Sequence, residues 1–174
     1  MSEIKTQLQR SLMAYIEYTV RDLTEGLARV AYFVAPPILR IALALPFFRS
    51  GLTRWDGFLL LSPSTEYLFE EEFKLHIFGG AYDIPAPLLV GHLTGLAEIT
   101  LPILLVFGFA TRLAALALLI MTGVIQLIVP DGWANFHLAW AALAIAIIAL
   151  GGGPLSFDHL VDRLFDSRKP RGAI

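Results

Sequence analysis

The sequence predicts an all-α membrane protein: a four-helix transmembrane bundle with amphipathic interfacial helices at both termini and a short helix in the first outer loop. Hydrophobic residues make up 56% of the 174 residues and charged residues only 16%, whereas charged residues are about 25% of a typical soluble domain. The long apolar runs lack the alternating polar positions of a transmembrane β-strand. Helices are therefore expected to form the spans.

The first predicted element is an amphipathic helix over residues 1–30. Apolar side chains recur there every three or four residues with charges between them, a pattern typical of a helix lying in the membrane interface. These charges leave no apolar region of the kind found in a cleavable signal peptide. We interpret the segment as a retained anchor.

A four-span bundle is expected over residues 31–155, because each apolar run approaches the length of about 20 residues that crosses a bilayer. The predicted spans are approximately 31–52, 86–107, 112–129 and 133–150. Three prolines in the first span are expected to kink or delay its helix, since proline removes a backbone donor. These are Pro36, Pro37 and Pro46.

Helix-start signals predict the two remaining short helices. In the first outer loop, Ser62 is followed by Pro63 and then by Glu66, which is typical of a capped first turn. Ser156 is predicted to cap an amphipathic tail over residues 156–174 that ends in the basic residues of 168–171. Such a tail is expected to lie on the membrane surface.

The distribution of lysine and arginine predicts the orientation. Nine of these residues lie in the N-terminal tail, the connector after the second span and the C-terminal tail, against two in the first long loop. Because cytoplasmic segments are enriched in lysine and arginine, both termini are expected to be cytoplasmic in a multi-pass protein of the inner membrane.

Two charged side chains are predicted to meet inside the bundle. A rise of about 1.5 Å per residue places Arg40 and Glu98 near the same depth, close to the midplane. Each is costly alone in a membrane. We therefore expect a charge-assisted contact between them.

Two glycines mark the packing face of the second span. Gly91 and Gly95 are four residues apart on the same helix face as Glu98. Small residues at this spacing allow a neighbouring helix to approach closely. This face is predicted to be directed into the bundle.

Further polar residues are expected in the outer half of the membrane, where they would line a pocket with Arg40 and Glu98 as its floor: Arg49, His92, Gln126 and His137. The two histidines and Glu98 are ligand types for a divalent metal, but Glu98 is deeper by about 9 Å. We therefore assign no metal site. The histidines are interpreted either as hydrogen-bonded packing residues or as contacts to a quinone-like molecule.

Composition and motifs exclude several functions. The chain contains no cysteine, which excludes thiol catalysis and cysteine-held iron–sulfur clusters. A net charge of −2 with no basic stripe gives no sign of nucleic-acid binding. No nucleophile–base signature or phosphate loop occurs, so a self-contained enzyme is not expected and the catalytic residues stay unassigned.

The order of several motifs resembles the DoxX family of small bacterial membrane proteins. The matching segments are Arg40 with the aromatic stretch before Ser50-Gly51, then Glu98, the connector Gly108-Phe109-Ala110-Thr111-Arg112, and the ending Gly151-Gly152-Gly153-Pro154-Leu155-Ser156-Phe157-Asp158. The resemblance covers about residues 36–160. The chain departs from the family in its long N-terminal extension and in Arg54, where many relatives have lysine.

The resemblance implies a four-helix membrane bundle and a link to redox chemistry. Relatives include a subunit of a thiosulfate:quinone oxidoreductase and proteins linked to membrane redox complexes or to the maturation of periplasmic enzymes. Three hypotheses stay open: a redox component that contacts a quinone or a partner oxidoreductase, a transporter or channel subunit that requires homo-oligomers, and a structural scaffold in the lipid bilayer.

Overall fold

The computed structural model describes residues 2–166, with side chains from Gln7 onward except those of Leu8, Ser11 and Asp166. The chain divides between Ala35 and Pro36 into two compact units. In the first unit, residues 2–35 are helical, and Arg21 and Glu25 form an exposed ion pair one turn apart. The second unit contains the rest of the described structure.

Helix α1 covers Ser2–Thr53 without interruption. The helix continues through residue 30, where the sequence predicts that the interfacial segment ends and the first span begins. Pro36, Pro37 and Pro46 all lie inside the helix. In an apolar environment the backbone has no alternative to helical hydrogen bonds, and this favours the helix despite the lost donors.

Three further long helices follow α1 in the second unit. Helix α3 covers Pro87–Phe107, helix α4 covers Thr111–Ile128 and helix α5 covers Leu138–Leu150. A 3₁₀ turn over Pro130–Gly132 and a π-helical turn over Trp133–His137 extend the α5 segment. With α1, the described residues thus contain four segments that are long and apolar enough to cross a membrane, which confirms the predicted fold class.

Residues of all four spans form the core of the second unit. The cluster consists of Leu43, Ala44, Phe47, Leu105, Ala114, Ala115, Leu118, Ala144 and Ile147. Because lipid tails are as apolar as leucine, close packing rather than escape from water favours such a core. The alanines of α4 and α5 allow these two helices to approach each other closely.

The segment between α1 and α3 forms a short helix and a β-hairpin. Helix α2 covers Pro63–Tyr67, and the backbone N–H of Thr65 donates to Ser62 Oγ, which confirms the predicted cap. A π-helical turn over Leu68–Glu72 leads into two antiparallel strands, β1 over Lys74–Ile77 and β2 over Gly80–Asp83.

The hairpin itself was not predicted from the sequence. Its turn residues Phe78 and Gly79 have φ values of 49° and 82°, as a type I′ turn requires. Phenylalanine is not a signal for such a turn, and each strand is only four residues long. We call this end of the second unit the hairpin end, and the end that carries residues 108–110 and 151–156 the connector end.

Helix α6 covers Phe157–Asp166 at the connector end. The backbone N–H of His159 donates to Ser156 Oγ at 3.1 Å, which confirms the predicted cap. Phe157 and Leu160 are exposed on this strongly amphipathic helix. The predicted basic tail at 168–171 lies outside the described residues.

Candidate functional site

Glu98 of α3 is held at the hairpin end by Ser50 of α1 and by Arg54, which directly follows the last residue of α1. Arg54 Nε donates to Glu98 Oε2 at 3.0 Å and Arg54 Nη2 donates to Oε1 at 3.3 Å. Ser50 Oγ donates to the same Oε1 at 3.1 Å. The Glu98 side chain is 2% exposed and that of Arg54 13%. This is a bidentate, largely buried ion pair.

The local sequence of α1 explains this contact. Ser50 and Arg54 are four residues apart and therefore lie on the same face, one helical turn from each other. Between them, Gly51 has no side chain to separate the two helices. A Cβ atom at this position would lie 2.9 Å from the carbonyl carbon of Glu98, so the close approach of α1 to α3 requires glycine.

Arg40 does not pair with Glu98, and the sequence prediction of this contact is wrong. Arg40 is buried at the connector end, where Nη1 donates to Val106 O at 3.2 Å and Nη2 donates to Leu155 O at 2.7 Å. Val106 is eight residues after Glu98, which corresponds to about 12 Å along α3. Arg40 and Glu98 therefore do not lie at the same depth, as the sequence-based estimate had assumed.

Asp158 provides a negative charge close to Arg40. Its Oδ1 accepts from the N–H of Ala110 at 2.7 Å, and its Oδ2 accepts from the N–H and the hydroxyl of Thr111 at 2.8 and 2.6 Å. Burial alone would raise the pKa of Asp158, but these hydrogen bonds and the Arg40 charge together hold the pKa below its ordinary value. The carboxylate therefore caps α4 from a distant part of the chain.

The connector residue Gly108 makes this arrangement possible. It ends α3 with a φ of 69°, and its carbonyl accepts from the N–H of Asp158 at 2.9 Å. A side chain here would collide with the Arg40 guanidinium and with Ser156. Glycine is therefore required both for the backbone conformation and for the space.

The Arg54–Glu98 ion pair lines a cavity of about 180 Å³ within the second unit. Ser50 and Thr94 also contribute to its polar side. Most of the lining is apolar, from aromatic side chains and from the C-terminal half of α4: Phe47, Phe69, Phe73, Trp140, Met121, Val124, Ile125, Ile128 and Val129. The Arg54 guanidinium lies 5.4 Å from the centre of the Phe69 ring. This cation–π contact helps to fix the orientation of the guanidinium group.

His137 and Gln126 form a separate pair behind the cavity wall. His137 is buried, and its Nδ1 lies 2.6 Å from Gln126 Oε1. Gln126 Nε2 donates to Pro130 O at 2.8 Å. The His137 ring lies 5.3 Å from that of Trp140, which lines the cavity. These two predicted residues therefore support a cavity side chain and do not line the cavity themselves.

The other predicted pocket residues are also placed elsewhere. His92 Nδ1 lies 2.7 Å from Leu88 O in its own helix, and the His92 ring contacts Trp55 edge-on at 5.9 Å. Arg49 is exposed on α1. Of the six residues assigned to the predicted pocket, Glu98 is the one that lines the cavity. Among residues 2–166, no group of three histidine or carboxylate side chains is close enough to hold a metal ion.

Gly91 and Gly95 face inward as predicted, but their neighbours differ from the expected helix. A Cβ atom at Gly95 would lie 2.7 Å from the Trp55 ring, and one at Gly91 would lie 3.2 Å from Leu61. Both neighbours belong to the segment after α1. The two glycines therefore accommodate the loop that follows α1, and the close helix contact occurs at Gly51.

Arg54 and Ser50 were not among the predicted site residues, although the sequence contains a signal for them. Phe47, Ser50 and Arg54 have the spacing of three and four residues that places side chains on one helix face. The prediction ended the first span at residue 52 and so assigned Arg54 to the loop. Asp158 carried no sequence signal for its contact with Thr111, because the two residues are far apart in the chain.

The geometry of the cavity limits what it can bind. Drug-sized ligands occupy pockets of about 300–1,000 Å³, so a cavity of about 180 Å³ accommodates one small ring system. The contacts to Glu98 and Ser50 use Nε and Nη2 of Arg54. Its Nη1 is outside these contacts and is a donor suited to a carbonyl oxygen. Aromatic walls favour a flat ligand.

Comparison with known proteins gives one family and one relative. The family model described as DoxX matches residues 35–131, which include α3, α4 and the Arg54–Glu98 pair but not Asp158. A protein of Haemophilus influenzae described as uncharacterized is 30% identical over 139 residues, which cover 75% of this chain and 85% of the relative. No solved structure matches the chain.

Proposed function

The chain belongs to the DoxX family of membrane proteins, and on this basis we propose that it is an accessory, quinone-linked component of a membrane redox system. The observation that carries the proposal is the cavity of about 180 Å³ in which the Arg54–Glu98 pair meets aromatic walls. A quinone head group is a flat ring with carbonyl oxygens. The ring fits the apolar lining, and its carbonyl oxygens are acceptors for the Arg54 guanidinium.

In this proposal Arg54 binds and orients the ligand. Its Nη1 donates to a quinone carbonyl oxygen, while Glu98 and Ser50 keep the guanidinium in place through the other two nitrogens. Phe47 and Trp140 contact the faces or edges of the ring. The bound quinone supplies the two-electron chemistry that a chain without cysteine lacks.

The setting proposed is the inner membrane with both termini in the cytoplasm. The excess of lysine and arginine in the tails and in the connector supports this orientation. The hairpin end would then face outward, and a redox partner protein would meet the chain at its acidic outer loop. Glu70, Glu71 and Glu72 are exposed there. A homo-oligomer is compatible with this arrangement.

The transport alternative has less support. The charged groups at the two ends are separated by tightly packed apolar side chains, among them Leu43, Phe47 and Leu105. A polar path through one copy of the described bundle would have to displace them. A scaffold role would leave the Arg54–Glu98 pair beside the cavity without a purpose beyond folding.

A binding titration tests the proposal on the purified chain in lipid nanodiscs. We expect a naphthoquinone without a long tail to quench the fluorescence of Trp140, which lines the cavity. Arg54→Lys keeps the charge but loses the planar fork, and it should weaken binding about tenfold, the cost of one good hydrogen bond to a charged donor.

Two control variants make the titration specific. Arg49→Lys changes an exposed arginine of the same helix and should leave the affinity unchanged. Trp140→Phe should remove most of the quenching without removing the binding. Equal affinities for the Arg54 and Arg49 variants, or no quenching in the unmodified chain, would refute the proposed site.

A further inference from the structure

We propose that the ligand of the cavity is a lipid-soluble molecule with an apolar tail and that it enters sideways from the bilayer past Val124 of α4. This inference rests on the proposed function and specifies its substrate class. The proposal is based on the direction in which the cavity opens. We infer this direction from the exposed fractions of the side chains that line the cavity.

The cavity is open along α4. Among the side chains that line it, Val124 is 45% exposed and Val129 is 43% exposed, whereas Phe47, Phe69 and Glu98 are each 3% exposed or less. The bottom of the cavity is therefore enclosed by α1 and α3. Its open side runs along the last turn and a half of α4.

This opening faces lipid. Val124 lies four residues before the end of α4 at Ile128, which places it about 6 Å inside the helix end. The helix is long and apolar enough to cross a membrane. A side chain that is exposed at this depth of a spanning helix contacts hydrocarbon chains, because water is absent there.

The water-facing side of the cavity is covered. Phe69 and Phe73 extend over it from the segment between α2 and the hairpin, and their rings pack edge-on at 5.2 Å. The hairpin continues this cover onto α4, where His76 Nδ1 lies 3.1 Å from Leu127 O. A ligand dissolved in water would have to displace these side chains, whereas a ligand dissolved in the bilayer would not.

The lining of the cavity changes from polar to apolar towards the opening. Its enclosed wall carries Arg54 and Glu98, and its open edge carries valines only. A molecule with a polar ring and an apolar tail would place the ring against Arg54 and the tail past Val124 into the lipid. The tail then stays in hydrocarbon in both the free and the bound state, so binding of the ring does not require the tail to enter water.

The test compares the binding of two probes in nanodiscs, a benzoquinone with a decyl tail and the analogue with a methyl group in its place. Each affinity is expressed as the ratio of probe to lipid at half-saturation. Val124→Phe adds bulk at the opening, where the tail has to pass, and the steric conflict should weaken binding of the tailed probe about tenfold. Binding of the tail-less probe should change less than about twofold. Retained binding of that probe shows that the variant is folded.

Ile120→Phe is the matched control. Ile120 is exposed one turn earlier on α4 and is not among the lining residues, so this variant should bind both probes like the unmodified chain. Equal weakening of both probes by Val124→Phe, or weakening of neither, would overturn the lateral entry while leaving the proposed function intact. An unmodified chain that binds neither probe would refute the proposed function itself.

Discussion

Glu98→Ala is expected to be the most destabilising substitution in the bundle, lowering the free energy of unfolding by about 3 kcal/mol or more. The physical reason is that Arg54 would stay buried without its counter-charge, and an uncompensated buried charge costs about 3–5 kcal/mol. Arg54 is 13% exposed, so water reaches it only in part. Denaturant titration of the purified chain in micelles, followed by circular dichroism, measures the loss.

The double replacement Arg54→Met with Glu98→Leu separates the cost of the charge from the value of the ion pair. Replacing both partners by apolar residues of similar size is often neutral, so the double variant should recover most of the stability that Glu98→Ala loses. Glu71→Ala, at an exposed position, is the control and should have no measurable effect. A Glu98→Ala chain as stable as the control would contradict the ion-pair geometry.

Asp158→Asn is expected to cost about 2 kcal/mol of stability at neutral pH. The carboxylate accepts three hydrogen bonds at the start of α4 and lies near Arg40. Hydrogen bonds to a charged group contribute about 1.5–3 kcal/mol, and the helix dipole adds to this. Asp162→Asn, on an exposed position of the same helix, is the matched control.

The pH dependence of this cost has a fixed sign. The folded chain holds the pKa of Asp158 below its ordinary value of 3.8, because the hydrogen bonds and Arg40 outweigh the effect of burial. The stability contributed by Asp158 is therefore fully present above pH 3.8 and is lost as the pH falls through the lowered pKa. The difference between unmodified chain and Asp158→Asn should be constant near neutrality and should shrink below pH 3.8. A difference that grows on acidification would contradict the assignment.

The fold could be predicted from the sequence because apolar runs of span length have few alternatives in a membrane. The ranges of α3, α4 and α5 follow directly from this pattern. The hairpin could not be predicted in the same way. Its strands are short, and its turn depends on Phe78 adopting a positive φ, which residue type does not favour.

The candidate site could be predicted only in part. The need of Glu98 for a cationic partner follows from the cost of a carboxylate in the membrane, and this need is met. The identity of the partner depends on helix register. Arg40 lies on α1 and Arg54 directly follows its last residue. The two are fourteen residues apart, about 21 Å along a helix, so they cannot both lie at the depth of Glu98.

The other contacts that could not be predicted join segments that are far apart in the sequence. Asp158 reaches Thr111 because α6 returns to the start of α4, and no local pattern in either segment indicates this. His92 and His137 show the reverse case. They are polar residues in apolar spans and attracted a functional interpretation, yet His92 contacts a backbone carbonyl of its own helix and His137 contacts the Gln126 side chain.

An inventory of the lipid-soluble molecules that copurify with the chain tests the proposed quinone site. The chain is extracted gently from its native membrane, and mass spectrometry compares it with the Arg54→Met, Glu98→Leu double variant, which keeps the apolar cavity but lacks its polar wall. We expect a stoichiometric quinone on the unmodified chain and its loss from the double variant. A chain that carries no quinone, or equal amounts on both proteins, would contradict the proposed site.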